Sequence, residues 1–209
     1  METSPLRLLL VAALSACLII GIARDAQASA TASLTERLSE VVHMRGDFMQ
    51  TQYGPNGEVL GESAGRFQLL RPAFFSWEIT SPDSQLIVAD DIYLWHYDKD
   101  LETLTRRPVT AVAVSPLQVL GGDLAALSDR FDIEGEGDSY TLRALDADAG
   151  FESLSLRFEG NSLVAMEVLD RLQQRIVVMF SAVDLQTLLS ADDFAINAPE
   201  NVDTFYYEE

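Results

Sequence analysis

The sequence predicts a mainly β fold of the α+β kind: one curved antiparallel sheet, with an N-terminal helix and short central helices over its concave side. Three observations predict it. Between Gly65 and Thr80 (GRFQLLRPAFFSWEIT), Phe67, Leu69, Arg71, Ala73, Phe75, Trp77 and Ile79 share one parity, and the polar Arg66, Gln68, Ser76, Glu78 and Thr80 alternate with them. That is the period of strands with one buried face. Runs of this kind, about ten in all, recur between Gly, Pro, Asn and Asp turn signals. Helical spacing is confined to one N-terminal stretch and two short central pieces, and no internal repeat, low-complexity run or interdomain linker divides the chain.

In chain order, a helix is predicted over Leu34–Met49. Leu34, Leu38, Val41, Val42 and Arg45 fall on one side of it, Thr35, Glu36, Ser39 and Glu40 lie outside, and Ser33 or Thr35 can cap it. A strand begins in Asp47–Tyr53, and Gly54-Pro55-Asn56-Gly57 turns it into Glu58–Leu70. Phe74–Thr80 follows and is broken by Ser81-Pro82-Asp83. Gln85–Ala89 and Ile92–Tyr97 form a hairpin across Asp90-Asp91, and Leu101–Arg107 is closed by Pro108. After the apolar linker Thr110–Val114, Ser115-Pro116 supplies an N-cap and a first-turn proline for a short helix Leu117–Leu120, which Gly121-Gly122 stops. Asp123 caps a second short helix, Leu124–Leu127. Both are far under the ~12 residues an isolated helix needs, so they must rest on the sheet. Strands resume at Phe131–Glu134, Tyr140–Leu145, Leu154–Glu159, Leu163–Asp170 and Arg175–Ala182. Ala191–Phe194 makes one helical turn at most, and Ala198-Pro199-Glu200-Asn201 leads into a ragged, acidic end. Shared parity on neighbouring strands places Phe67, Leu69, Phe75, Trp77, Ile79, Tyr93 and Trp95 on the concave side.

The N-terminus points to export. Arg7 is a positive n-region, Leu8–Ile22 is an apolar run, and Ala26-Gln27-Ala28 and Ala28-Ser29-Ala30 are both A-x-A cleavage patterns. The expected division is a signal peptide at 1–28, with cleavage near 28–30, and a single domain at 29–209. Leu14-Ser15-Ala16-Cys17 also matches a lipoprotein box, but the apolar run continues past Cys17 through Ile22, where a lipidated chain turns polar. Cys17 is the only cysteine, so a mature chain cut at Ala28 holds no thiol, disulfide or cysteine metal site. The net charge of −19 argues against nucleic acid and anionic membrane surfaces and suits partners with basic docking patches.

Catalytic patterns are lacking. His43 and His96, isolated and without cysteine, do not make a metal site. There is no G-x-S-x-G elbow. Asp90-Asp91, Asp146-x-Asp148 and Asp192-Asp193 sit in turn-like sequence and read as solvated turns rather than acid–base pairs. No enzyme activity and no cofactor are expected. Arg71 stands out because a guanidinium cannot shed its charge and is costly to bury without acceptors. Two readings of it stay open: a cation used beside an apolar surface, or the end of a strand before Pro72. The aromatic strand faces likewise fit a filled core or a cavity for apolar ligands.

A set of segments in order carries a resemblance: the N-terminal helix running into Phe48-Met49-Gln50-Thr51-Gln52; Gly65-Arg66-Phe67; Arg71-Pro72-Ala73-Phe74-Phe75-Ser76-Trp77; Asp90-Asp91-Ile92-Tyr93-Leu94-Trp95-His96-Tyr97; Ser115-Pro116-Leu117; and Phe194-Ala195-Ile196-Asn197-Ala198-Pro199-Glu200-Asn201-Val202-Asp203. Over essentially the whole mature chain this resembles the LolA family of periplasmic outer-membrane lipoprotein carriers. The resemblance implies an incomplete, unclosed β-barrel with helices as a lid. Its apolar cavity, expected to be lined by Phe67, Leu69, Phe75, Trp77, Ile79, Tyr93 and Trp95, would hold the acyl chains of lipoprotein cargo. It implies an inner-membrane ABC exporter as donor, an outer-membrane acceptor lipoprotein as recipient, a periplasmic location and a monomer. Arg71 matches the family arginine that holds the lid closed, and Leu34, Leu38, Val41, Leu117 and Leu120 would belong to the lid helices. A lipid-anchored acceptor or envelope-stress sensor of the same fold would require lipidation of Cys17. A lipid-modifying enzyme lacks a catalytic constellation.

Overall fold

The computed structural model describes residues 27–109, 116–122, 124–147, 149–199 and 201–208. The predicted n-region, the apolar run with Cys17, the linker Thr110–Val114, Ser115 and Asp123 lie outside the described residues, as does the side chain of Leu117. Helix α1 covers residues 27–40. The strands are β1 (His43–Tyr53), β2 (Val59–Leu70), β3 (Phe74–Ser81), β4 (Gln85–Ala89), β5 (Tyr93–Asp98) and β6 (Thr103–Pro108). After α2 (Pro116–Gly121), a 3-10 turn (Leu124–Ala126) and α3 (Leu127–Arg130) come β7 (Phe131–Glu136), β8 (Ser139–Ala144), β9 (Ser153–Glu159), β10 (Ser162–Leu169) and β11 (Arg175–Asp184). A 3-10 turn (Ala191–Phe194) and β12 (Asp203–Tyr206) end the chain.

All twelve strands form one sheet in the order β12-β6-β5-β4-β3-β2-β1-β11-β10-β9-β8-β7. Every pairing is antiparallel except that of β12 with β6. The edge strands β12 and β7 do not pair with each other, so the sheet is unclosed.

The sheet curls toward one face. Strands sit about 4.8 Å apart, so β3 and β11, three steps apart, would be about 14 Å apart in a flat sheet. Yet the rings of Trp77 on β3 and Phe180 on β11 have centroids 6.3 Å apart, and those of Phe48 on β1 and Trp77 only 3.7 Å. Bulges between Arg45 and Asp47 and between Ala64 and Gly65 supply the bend. Glycine is required at Gly65, where a Cβ would stand 1.8 Å from the Glu78 carbonyl oxygen and 2.9 Å from Phe48. The inside of the curl is also the face covered by α1, α2 and Leu127, and it carries the main core.

Three expectations need correction. The first helix ends at residue 40 rather than Met49, and β1 begins at His43. Met44 and Phe48 are spaced by four, which suits a helical face and a strand face alike. Pairing of β1 with both β2 and β11 decides for the strand. Arg45, counted on the helix, lies on the outer face bonded to Asp184. The ragged end is in fact β12, whose partner strand is supplied from 100 residues upstream and leaves no local pattern.

Tyr93 and Trp95 lie on the opposite face from the one expected. The pairings Trp77↔Ile87↔His96 and Phe75↔Ala89↔Leu94 put Leu94 and His96 inside and Tyr93 and Trp95 outside. A one-residue change across the Asp90–Ile92 turn inverts a whole strand, and composition alone does not count that residue. Outside, Trp95 packs with Val88, Leu189 and Phe194 beneath the segment that follows β11.

Candidate functional site: the helix-covered inner face

The inner face is built by alternate residues of adjacent strands. Met44 and Phe48 on β1, Phe67 and Leu69 on β2, Phe75 and Trp77 on β3 and Val178 and Phe180 on β11 are all buried there. Ile79 is partly buried against the same cluster. Phe48, Phe75 and Trp77 stack, with Phe75 and Trp77 centroids 5.9 Å apart, and Phe180 meets Phe67 edge-on at 4.9 Å. Five of the seven predicted lining residues (Phe67, Leu69, Phe75, Trp77 and Ile79) are therefore brought together, and Tyr93 and Trp95 are not. Phe48 and Phe180 belong to the same aromatic group, although the sequence reading does not place them there. Phe48 falls within the predicted helix; the alternation Val178, Phe180 in Arg175–Ala182 is the signal that could have found Phe180.

From above, Leu34 and Leu38 of α1, Val41 just after it, and Val119 and Leu120 of α2 are buried on this face. These side chains are shielded from solvent: Leu34 and Leu69 are 0 % exposed and Leu120 is 2 %. A groove of about 490 Å³ on the outer face is lined by Arg45, Asp47, Arg66, Glu78 and Asp184 and suits water and ions, not hydrocarbon. Glu78 there accepts from Lys99 Nζ at 2.7 Å and Arg66 Nη2 at 2.8 Å, and the Lys99 bond leads in holding its carboxyl below the usual range.

Arg71 stands at the edge of the inner face. The β2–β3 turn fixes it: Arg71 N–H donates to Val42 O and Ala73 N–H to Gly121 O, both at 2.9 Å, with Ala73 at φ 86°. Its Nη1 donates to Gly122 O, just past the end of α2, at 3.1 Å. A helix C-terminus presents unpaired carbonyls and partial negative charge, which match a guanidinium. The match is incomplete. Arg71 Nε is buried with no hydrogen-bond partner, and burial pushes the guanidinium down to about 10. Among the described residues, one side-chain bond ties this cation, beside an apolar face, to the cover above it.

The two histidines serve structure. His43 Nδ1 accepts from Leu189 N–H at 3.1 Å, and His96 Nε2 lies 3.1 Å from Gln85 Oε1. Among the described residues no group of His, Cys, Asp and Glu could hold a metal, and no helix is long and apolar enough to cross a membrane.

An apolar, aromatic inner face under short helices is what a hydrocarbon-carrying protein needs, and sequence comparison gives it a family. A family model described as "Outer membrane lipoprotein carrier protein LolA" matches residues 39–197. The chain belongs to the LolA family. The outer-membrane lipoprotein carrier protein of Hahella chejuensis is 31% identical over 205 residues, covering 95% of this chain and 96% of the relative. That of Methylibium petroleiphilum is 34% identical over 193 residues, covering 90% and 93%. Both are named as carriers, not enzymes. The crystal structure of an uncharacterized conserved protein from Thermus thermophilus superposes with a TM-score of 0.53 at 14% identity, over 84% of this chain and 99% of that one, a likeness of fold alone.

Proposed function

We propose that this LolA-family chain is a periplasmic carrier that takes up the acyl chains of lipoproteins under its helical cover and delivers them to an outer-membrane acceptor. The single observation that carries the reading is the aromatic inner face of an unclosed sheet, covered by α2, with Arg71 bonded to Gly122 O just past that helix. Acyl chains need a continuous apolar lining and gain about 0.8 kcal/mol per methylene on leaving water. A carrier must also release them. Collapse of the face onto Leu120, Val119 and its own aromatic rings competes with cargo for the same apolar surface.

In this reading residues 1–28 are a signal peptide and 29–209 the mature, monomeric carrier, with an inner-membrane ABC exporter as donor and an acceptor lipoprotein as recipient. Phe67, Leu69, Phe75, Trp77 and Ile79 line the site. Leu34, Leu38, Val41, Leu117 and Leu120 belong to its cover, and Arg71 closes it. Cleavage after Ala28 leaves α1 starting at Ser29.

The test is a two-step transfer with purified components. Lipoprotein released from donor membranes should co-purify with the mature protein and then pass to an acceptor. Absence of lipoprotein in the complex overturns the reading. Intact mass decides the anchored alternative: a diacylglyceryl adduct on Cys17 would exclude a freely diffusing carrier.

A further inference from the structure

Methionine is divided between the two faces of the sheet. Apart from Met1, which lies outside the described residues, the methionines are Met44, Met49, Met166 and Met179. Met44 and Met166 belong to the inner core and are 3 % and 4 % exposed. Met49 and Met179 are 68 % and 45 % exposed. Each adjoins an inner-face aromatic residue, Phe48 or Phe180, so strand alternation turns both outward. They stand directly opposite one another on β1 and β11, and the row continues to Ala64 on β2 and Ala165 on β10. Opposed side chains lie about 4.5–5.5 Å apart at Cβ, and the flanking alanines are too short to cover a thioether. Once the chain is cut after Ala28, removing Cys17, thioethers are its only sulfurs.

We propose that Met49 and Met179 form a reversible oxidation site on the outer face, while the fold withholds Met44 and Met166 from the same chemistry. Methionine oxidation follows exposure. The thioether attacks the terminal oxygen of a hydroperoxide: an S–O bond forms, the O–O bond breaks, and the leaving oxygen departs with the proton as water or an alcohol. Sulfur loses two electrons and the peroxide gains them. A dithiol reductase reverses the step, the sulfoxide oxygen leaving as water while the dithiol becomes a disulfide. At positions 49 and 179 the polar sulfoxide points into water and disturbs no packing below. At Met44, opposite Leu69, or at Met166 it would place a polar, chiral group in the apolar core. What that means for cargo rests on the carrier reading; the oxidation site does not.

Hydrogen peroxide added to the folded mature protein, followed by peptide mapping by mass spectrometry, tests this. Met49 and Met179 should oxidise within ~3-fold of the rate of free methionine, and Met44 and Met166 at least ~10-fold more slowly. In urea all of them should oxidise alike, which assigns the difference to the fold. The double variant Met49→Leu, Met179→Leu should take up no oxygen in the time the native protein takes up two atoms. The doubly oxidised protein should keep its urea midpoint and its affinity for a triacylated cysteinyl peptide. The methionine sulfoxide reductases, one for each sulfoxide epimer, should return both residues with dithiothreitol as the dithiol. The proposal is overturned if Met44 or Met166 oxidises as fast as Met49, if Met179 is as slow as the buried pair, or if the double variant takes up the same two oxygens. Loss of peptide affinity on double oxidation would overturn the separation of this site from the cargo site. Failure of the unoxidised native protein to bind the peptide overturns the carrier reading, and the oxidation pattern alone then decides the site.

Discussion

Replacing Arg71 with leucine should leave the protein folded and able to load, yet slow to release. Two quantities from the structure set the magnitudes. The Nη1–Gly122 O contact at 3.1 Å is a hydrogen bond from a charged donor, worth ~1.5–3 kcal/mol. Against it stands burial, which pushes the guanidinium down to about 10 and leaves Nε unpartnered, a cost on the order of 3 kcal/mol at ~1.4 kcal/mol per pKa unit. The two offset each other to within ~1.5 kcal/mol in the closed form, so Arg71→Leu should change global stability by no more than ~1.5 kcal/mol. Release responds differently. Loading must break the bond to Gly122 while the guanidinium stays beside the apolar face. Leucine carries no such bond, so cargo no longer competes with it. The retained cargo gains roughly the energy of the bond, or about 10- to 150-fold in dissociation rate at ~1.4 kcal/mol per decade. The assay loads the purified protein with a triacylated peptide and follows its transfer to acceptor-bearing vesicles. Arg71→Lys should be intermediate, as a charge without the planar fork. Release by Arg71→Leu at the native rate would refute the reasoning. So would a loss of stability beyond ~3 kcal/mol, which would make Arg71 a turn residue instead.

Other outcomes follow from the same geometry. Gly65→Ala puts a methyl 1.8 Å from the Glu78 carbonyl and should cost about 3 kcal/mol or more by urea unfolding, whereas Gly61→Ala, with nothing within 4 Å, should stay within ~0.5 kcal/mol. Acid should destabilise the protein: Glu78, held low by Lys99, and Asp184, held low chiefly by Thr187, have folded values below their unfolded ones. Their contribution is full above about pH 5 and lost as pH falls through the folded values, which the urea midpoint against pH measures; a midpoint that rises on acidification contradicts it. Phe194→Ala empties the outer cluster with Val88, Leu189 and Trp95 and should cost about 3 kcal/mol while leaving affinity for acyl peptide unchanged. A matching loss of affinity would tie the outer cluster to the cargo site.

Much of this was legible in the residues. The alternation Phe67, Leu69, Phe75, Trp77, Ile79 reads correctly because β2 and β3 each bury one face, and Gln85–Ala89 matches β4 at both ends. For Arg71 the residues alone left two readings open, and its approach to a helical cover was implied by the family resemblance; the bond to Gly122 O now accompanies it. What failed were phase and partner. Tyr93 and Trp95 keep the strand period, but a turn of uncounted length set their side. Met44 and Phe48 fit two periods, and only the β2 and β11 ladders choose between them. β12 is held by pairing with β6 and by Arg106, whose guanidinium carbon lies 4.5 Å from the Tyr206 ring centroid and 4.3 Å from that of Tyr93. None of those contacts is local in sequence.

The central claim is that lipoprotein acyl chains occupy the inner face and not the outer aromatic cluster. Trp77 and Trp95, the chain's two tryptophans, lie on opposite sides of the sheet. Placing the photoreactive p-benzoyl-phenylalanine at position 77 or at position 95, loading the carrier with a triacylated cysteinyl peptide and irradiating it tests the claim directly. Cross-links should form from position 77, map to the acyl chains and be absent from position 95. Cross-links from 95 alone, or none from 77 in a variant that still binds the peptide, would contradict the account.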